Sequence, residues 1–361
     1  MSTDTNDLGT NPQYVDAMLA RAAAAGASDV HVEPISSGTE IRFRIDGVLT
    51  TIEKIPADAG RAVVLRLMVM GQLLTYRLDI PQEGRIRTTL AKSPSNKEID
   101  LRLAIMPTAH GLRAAVRLPA ELTQPRKLTD LGLPPLCLQR LQEFARTDAG
   151  MLLVTGPAGS GKTTTIYALL EYISQTSHGL SIISLEDPIE RLVDGVTQIE
   201  VAPHGQLTYD RALKSILRQD PQVLMLGEIR DATTAGLAVQ AALSGHRLIA
   251  TMHAGEPATA LARLLEMGVA PYQITSSIFG ILTLRLLRRR VEGGYKGRVP
   301  IAEFGLLDDE VRAAVLARAD AGVLRKSFAS QPGHATLREV AGHYVTEKVT
   351  DIAEVQRVLG D

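Results

Sequence analysis

Apolar residues along this chain follow two rhythms, and the change from one to the other divides it. In EIRFRIDGVLT (40–50) apolar and polar residues alternate, as they do in a strand with one buried face, and Asp46-Gly47 supplies a turn signal. IDLRLAIMPT (99–108) alternates in the same way, AAVRL (114–118) predicts a further strand, and Pro12 to Ala27 has helical periodicity with an alanine-rich centre. From about residue 136 the apolar runs become continuous: MLLVTG (151–156), LSIISLED (180–187), QVLMLGE (222–228) and HRLIATMH (246–253). Strands buried on both faces have that character, and TTTIYALLEYI (163–173) reads as a helix between two of them. The expected organisation is a polar, disordered start (1–11), a small α+β domain (12–118), a linker rich in proline and polar residues (119–135), and an α/β domain with a parallel sheet and a helical C-terminal part (136–361).

One apolar stretch stands apart. SSIFGILTLRLLRRR (276–290) is too short in its apolar part to cross a bilayer, and it predicts a buried helix whose terminal arginines suit the negative pole. A membrane-surface contact is the alternative, but the stretch lacks a full basic amphipathic face.

Composition narrows the classes. A chain of 361 residues exceeds one ordinary core, so two domains are expected. With 45% hydrophobic and 22% charged residues it reads as a soluble globular protein. A formal net charge of −1 gives no basic excess, which weighs against direct nucleic-acid binding. Cys137 is the single cysteine, so no intramolecular disulfide or cysteine-rich zinc site can form, and a reducing cytosol fits. MSTDTNDLGTNPQ lacks the basic flank and apolar core of a secretory signal, and no run of about 18 apolar residues predicts a membrane span.

The chemistry lies where the continuous runs end, because ligands of open α/β sheets sit beyond the carboxyl ends of the strands. The first run ends in Gly156-Pro157-Ala158-Gly159-Ser160-Gly161-Lys162-Thr163-Thr164. Glycines at this spacing let backbone N–H groups converge on phosphate oxygens. Lys162 is expected at the β and γ phosphates and the Thr163 hydroxyl on Mg²⁺. The third run ends in Glu228, a second candidate for the magnesium shell. The second ends in Glu186-Asp187-Pro188-Ile189-Glu190, and Glu186 is the candidate base for orienting and deprotonating water. His253 ends the fourth run and is a candidate for contact with phosphate or the catalytic carboxylate, while His246 begins it.

Together the four stretches resemble the secretion ATPase superfamily, GspE/PulE type, which includes type II secretion motors and type IV pilus assembly motors. GPAGSGKTTT matches the Walker A loop, SLEDPIE the aspartate box, LRQDPQVLMLGEIRD Walker B and GHRLIATMHA the histidine box. GASDVHVEP (26–34), FRIDGVL (43–49), PQEGRI (81–86), DLR (100–102) and PTAHG (107–111) resemble the second N-terminal, PAS-like domain of such motors. The resemblance implies a RecA-like core, ATP with Mg²⁺, a homo-hexameric ring, and a cytoplasmic location at the inner membrane through platform proteins. It also implies that Arg85 and Arg102 contact the γ phosphate, with Arg218 and Arg230 as further candidates.

Departures accompany the match. RLLRRRVEGGYKGR (285–298) carries no cysteine where type II motors commonly hold a four-cysteine zinc module, and a further N-terminal docking domain is expected to be missing. Thr233 stands where a glutamate is usual, and Asp79 where an arginine is usual. The expected function is a ring motor that drives secretion or assembly of a pilus-like filament. A retraction motor, a RecA-like nucleic-acid translocase and a degenerate scaffold subunit remain as alternatives.

Overall fold

The computed structural model describes residues 12–89, 99–119, 127–201 and 207–360, and the chain divides into two units, 1–124 and 125–361. The expectation of disorder for residues 1–11 lies outside the described residues.

In the first unit, α1 (Pro12–Ala24) precedes β1 (Ala27–Ile35), β2 (Gly38–Ile45) and β3 (Val48–Ile55). Then follow α2 (Ala57–Met70), β4 (Gln82–Thr88), β5 (Ile99–Thr108) and β6 (Gly111–Arg117). The six strands form one antiparallel sheet in the order β3-β2-β1-β6-β5-β4. The alternation read in IDLRLAIMPT is the pleat of β5: Leu101, Leu103 and Ile105 are buried with Val63, Leu67 and Met68 of α2, and Asp100, Arg102 and Met106 are exposed. Asp46 and Gly47, at φ 50° and 83°, turn β2 into β3 with the left-handed backbone that two-residue hairpins favour.

The second unit opens with a 3-10 turn at Leu128–Leu131 and helix α3 (Pro135–Phe144), both within or beside the stretch expected to be a linker; Leu128 is buried. Then come β7 (Gly150–Thr155), α4 (Lys162–Thr176), β8 (Ile182–Glu186), β9 (Thr197–Glu200), α5 (Tyr209–Ile216), β10 (Val223–Leu226), α6 (Ala232–Leu243) and β11 (Arg247–Met252). Helices α7 (Pro257–Glu266) and α8 (Pro271–Ser277) lead into the long hairpin of β12 (Ile278–Val291) and β13 (Gly294–Leu306). The chain continues through α9 (Asp309–Leu316), α10 (Ala321–Ala329), α11 (Leu337–Thr346) and α12 (Ile352–Leu359). The sheet order is β13-β12-β7-β11-β10-β8-β9, parallel except between β12 and β13. Residues of α3 and α4 pack on one face and those of α5–α10 on the other, so the inner strands are covered twice and carry no alternation. This is the α/β core with a parallel sheet that the continuous runs predict, and the RecA-like arrangement that the family resemblance implies.

The stretch 276–290 corrects its prediction: only Ser276 and Ser277 are helical, and the rest is β12. β12 pairs with β7 over Ile278–Thr283 and with β13 along most of its length, so its first half is bonded on both edges, which a helix would not offer the sheet. Gly280 fits this arrangement, because a Cβ there would lie 2.6 Å from the Phe304 ring on β13. Ile278, Ile281, Thr283 and Val291 are β-branched residues that favour the extended backbone.

The far half of the hairpin carries α11 and α12. Leu287, Val299 and Ile301 pack on Leu337, Val340 and Ala341, and the fully buried Glu354 carboxylate accepts from Arg288 Nε at 2.9 Å and Arg357 Nε at 2.7 Å. Arg288 also lies over the Tyr295 ring, 4.0 Å from its centroid. No helix among the described residues is long and apolar enough to cross a membrane.

Candidate nucleotide site

Between β7 and α4 the chain turns through Gly156, Gly159 and Gly161, at φ 141°, 72° and 96°. These angles suit glycine and let successive backbone amides point inward. Gly161 is the N-cap of α4 and gives it no side-chain capping bond, so the first-turn amides open onto the concavity. The Ser160 hydroxyl is buried there with no partner among the described residues. Lys162 Nζ folds back onto the loop and donates to the carbonyls of Gly156 at 2.7 Å and Pro157 at 2.9 Å. Burial pulls the pKa of this ammonium down, while the charges of Glu228 and Glu190 act in the opposite direction. An uncapped helix start, an orphaned hydroxyl and a cation held only by carbonyls fit a polyphosphate. Thr163 and Thr164 occupy the same first turn.

Gly156 is the tightest point. A Cβ there would lie 2.5 Å from Ser160 Oγ and 2.6 Å from the Leu284 carbonyl of β12. Gly156→Ala must therefore displace backbone at φ 141°, and it should weaken nucleotide binding by at least about tenfold. Isothermal titration with ATP checks this, and an unchanged affinity would show that the loop tolerates the shift.

The neighbouring strands bring up the carboxylates. Gly227 N–H donates to Leu185 O at 2.9 Å and Ile229 N–H to Thr251 O at 2.8 Å, extending the β8–β10–β11 ladder past the strand ends and fixing Glu228 between them. Glu228 Oε1 lies 2.9 Å from His253 Nε2, and its Oε2 accepts from Arg230 Nε at 2.5 Å. Arg230 also reaches Asp187, 4.0 Å away. Lys162, Glu228, Arg230 and His253 thus converge at one edge of the sheet.

Glu186 ends β8 at the same edge, but its carboxylate is turned inward and only 3% of the residue is exposed. It accepts from Ser184 Oγ at 2.6 Å, Gln198 Nε2 at 3.0 Å and the Tyr167 hydroxyl. Sequence reading missed Tyr167, Ser184 and Gln198. Ser184 lies within the aspartate-box run, whereas nothing local marks Tyr167 or Gln198. It also missed Arg285, which the helical reading of 276–290 placed within a buried helix. Arg285 follows Leu284 on β12 beside the glycine loop, half-buried, and donates to the Leu284 carbonyl at 2.9 Å.

Other sequence candidates lie elsewhere. His246 is at the opposite end of β11, its Nδ1 2.9 Å from Ala241 O, and Arg218 is exposed before β10 begins. Arg85 and Arg102 belong to the first unit, where they face each other as directly opposed residues of β4 and β5. Both are exposed, and Arg102 is also opposite Arg117 on β6, which pairs with Asp29 at 3.1 Å. Like charges directly opposed on a sheet repel, so the pair is suited to an anion between or above the two guanidiniums.

A family model described as "Type II/IV secretion system protein" matches residues 4–357. The chain is 37% identical to the type II secretion system protein HxcR of Pseudomonas aeruginosa, over 99% of its own length and 79% of that protein's. It is 35% identical to the type IV pilus assembly ATPase PilB of Thermus thermophilus, over 95% of its own length but only 42% of that protein's. Among solved structures, the Legionella pneumophila ATPase DotB superposes with a TM-score of 0.79 at 20% identity, covering 96% of this chain and 95% of that one. The pilus retraction motor PilT with bound ADP superposes with a TM-score of 0.62 at 26% identity, covering 94% and 98%.

Proposed function

The chain belongs to the type II/IV secretion system protein family, and on that premise we propose that it is a Mg²⁺-dependent ATPase driving secretion or assembly of a pilus-like filament. The observation that carries this reading is the convergence of Lys162, Glu228 and His253 on an uncapped, glycine-lined helix start.

The backbone amides of 156–164 bind the phosphates, and Lys162 exchanges its bonds to the Gly156 and Pro157 carbonyls for phosphate oxygens. Thr163 and Glu228 would hold the Mg²⁺ that accompanies ATP, which supplies positive charge to the phosphate oxygens. Through Nε2, His253 orients the Glu228 carboxylate. Glu186 is the proton acceptor for the attacking water, and to act it exchanges one of its three donors for that water. Arg85 and Arg102 supply charge to the γ phosphate. The active form is a homo-hexamer in the cytoplasm, held at the inner membrane by platform proteins, and it does not bind nucleic acid directly.

Glu228→Gln removes the carboxylate charge with little change of shape. It should reduce turnover at least about a hundredfold while ATP still binds. With ATP and Mg²⁺ the solution mass of this variant should rise to that of six subunits. Turnover close to that of the unsubstituted protein would sink the assigned role of Glu228, and a monomer at all concentrations would sink the ring.

A further inference from the structure

Residues 187–196, which follow Glu186, are strapped to the core by side chains rather than by a strand ladder. Gln198 of β9 spans the loop: its Nε2 donates to Arg191 O at 2.9 Å and to Glu186 Oε1 at 3.0 Å, and its Oε1 accepts from Val193 N–H at 2.7 Å. Glu200 Oε2 accepts from Ile189 N–H at 3.0 Å. Further ties come from α4. Near its end Ser174 Oγ donates to the Asp194 carbonyl at 3.1 Å. Tyr167, one turn into the helix, donates its hydroxyl hydrogen to Glu186 Oε2, and the tyrosine oxygen in turn accepts from Glu190 N–H at 3.1 Å.

The geometry points to Tyr167 as a positioning residue, whose single hydroxyl registers the phosphate-binding helix against the acidic loop and so sets where the carboxylates of Glu186 and Glu190 stand. This rests on the ATPase reading of the same site. The ring itself is held as well. The Arg191 guanidinium lies over it, 5.4 Å from the centroid, and Arg191 pairs with Glu171 at 3.6 Å, one helical turn beyond Tyr167. Burial first, then the hydrogen bond and charge of Glu186, push the phenol well above the ordinary tyrosine range, so it stays a donor at any working pH. Phenylalanine fills the same space and breaks only the two hydrogen bonds of the hydroxyl.

The test is Tyr167→Phe beside Tyr172→Phe, a control on the same helix, with ATP hydrolysis, ATP affinity and amide exchange of the peptide 187–196 measured on the full chain. Tyr167→Phe should lower kcat at least about tenfold, because a misplaced group costs more in the transition state than in binding. It should leave the ATP dissociation constant within about twofold, and exchange at Glu190 should accelerate. A kcat within twofold of the unsubstituted protein would overturn the inference. So would equal losses of affinity and kcat with a lowered melting temperature, which a merely structural tyrosine would produce. An unsubstituted protein that binds ATP without hydrolysing it would overturn the ATPase reading, and this inference with it.

Discussion

Lys162→Ala should abolish steady-state ATP hydrolysis, a loss of at least about a thousandfold measured as phosphate release. Phosphoryl transfer involves little covalent work by the protein, and positioned positive charge supplies most of the acceleration. Lys162 is the cation at the mouth of the glycine loop, and its neighbour Arg285 is engaged with the Leu284 carbonyl and half-buried on β12. Neither Arg230 nor His253 is free to replace Lys162, since both already contact the Glu228 carboxylate. Alanine also removes only bonds to loop carbonyls, so the melting temperature should move little. Residual turnover above about a tenth of the original rate would show that phosphate charge is met by another group, and the assignment of the loop would fail.

Glu354→Ala should cost about 3–5 kcal/mol of the larger unit's stability, read from urea denaturation. The Glu354 side chain is fully buried, and removing it leaves the Arg288 guanidinium, 20% exposed, without its carboxylate. Burial alone would raise the pKa of this carboxyl. Hydrogen bonds from Arg357 and Arg288 outweigh that and hold it at about 2. Because the folded pKa lies below the unfolded one, the carboxylate stabilises the fold above about pH 4.5, and that contribution falls away as pH drops from there toward 2. The alanine variant should lose this part of the acid dependence. Glu354→Gln, which keeps an acceptor but no charge, should fall between the two. A cost below about 1 kcal/mol would mean that the guanidiniums find solvent when the carboxylate goes.

The nucleotide end of the fold was readable because its signals are local. Each of MLLVTG, LSIISLED, QVLMLGE and HRLIATMH couples a doubly buried strand to the residues that follow it, and all four became parallel strands of one sheet. β12 was misread for two reasons. Its 14 residues exceed the usual strand length, and an apolar run ending in arginines also describes a helix. Its partner β13 lies beyond a glycine turn, so no short window contained the pairing that decides it. The bonds that orient the site were out of reach for the same reason. Tyr167 meets Glu186 across 19 residues, and Glu354 meets Arg288 across 66.

β12 touches both ends of the larger unit. Its Leu284 carbonyl borders the Gly156 turn, and four residues further on Arg288 holds the helix that carries Glu354. The intervening backbone is hydrogen-bonded to β13 throughout, so it cannot lengthen or bend without breaking ladder bonds. It forms a continuous paired strand from the glycine loop to the Arg288–Glu354 contact. On the ATPase reading proposed above, a displacement of the glycine loop would be passed along this ladder toward the C-terminal helices. On that reading, loosening the Arg288–Glu354 contact would leave the glycine loop intact while freeing the C-terminal helices from the strand that reaches it.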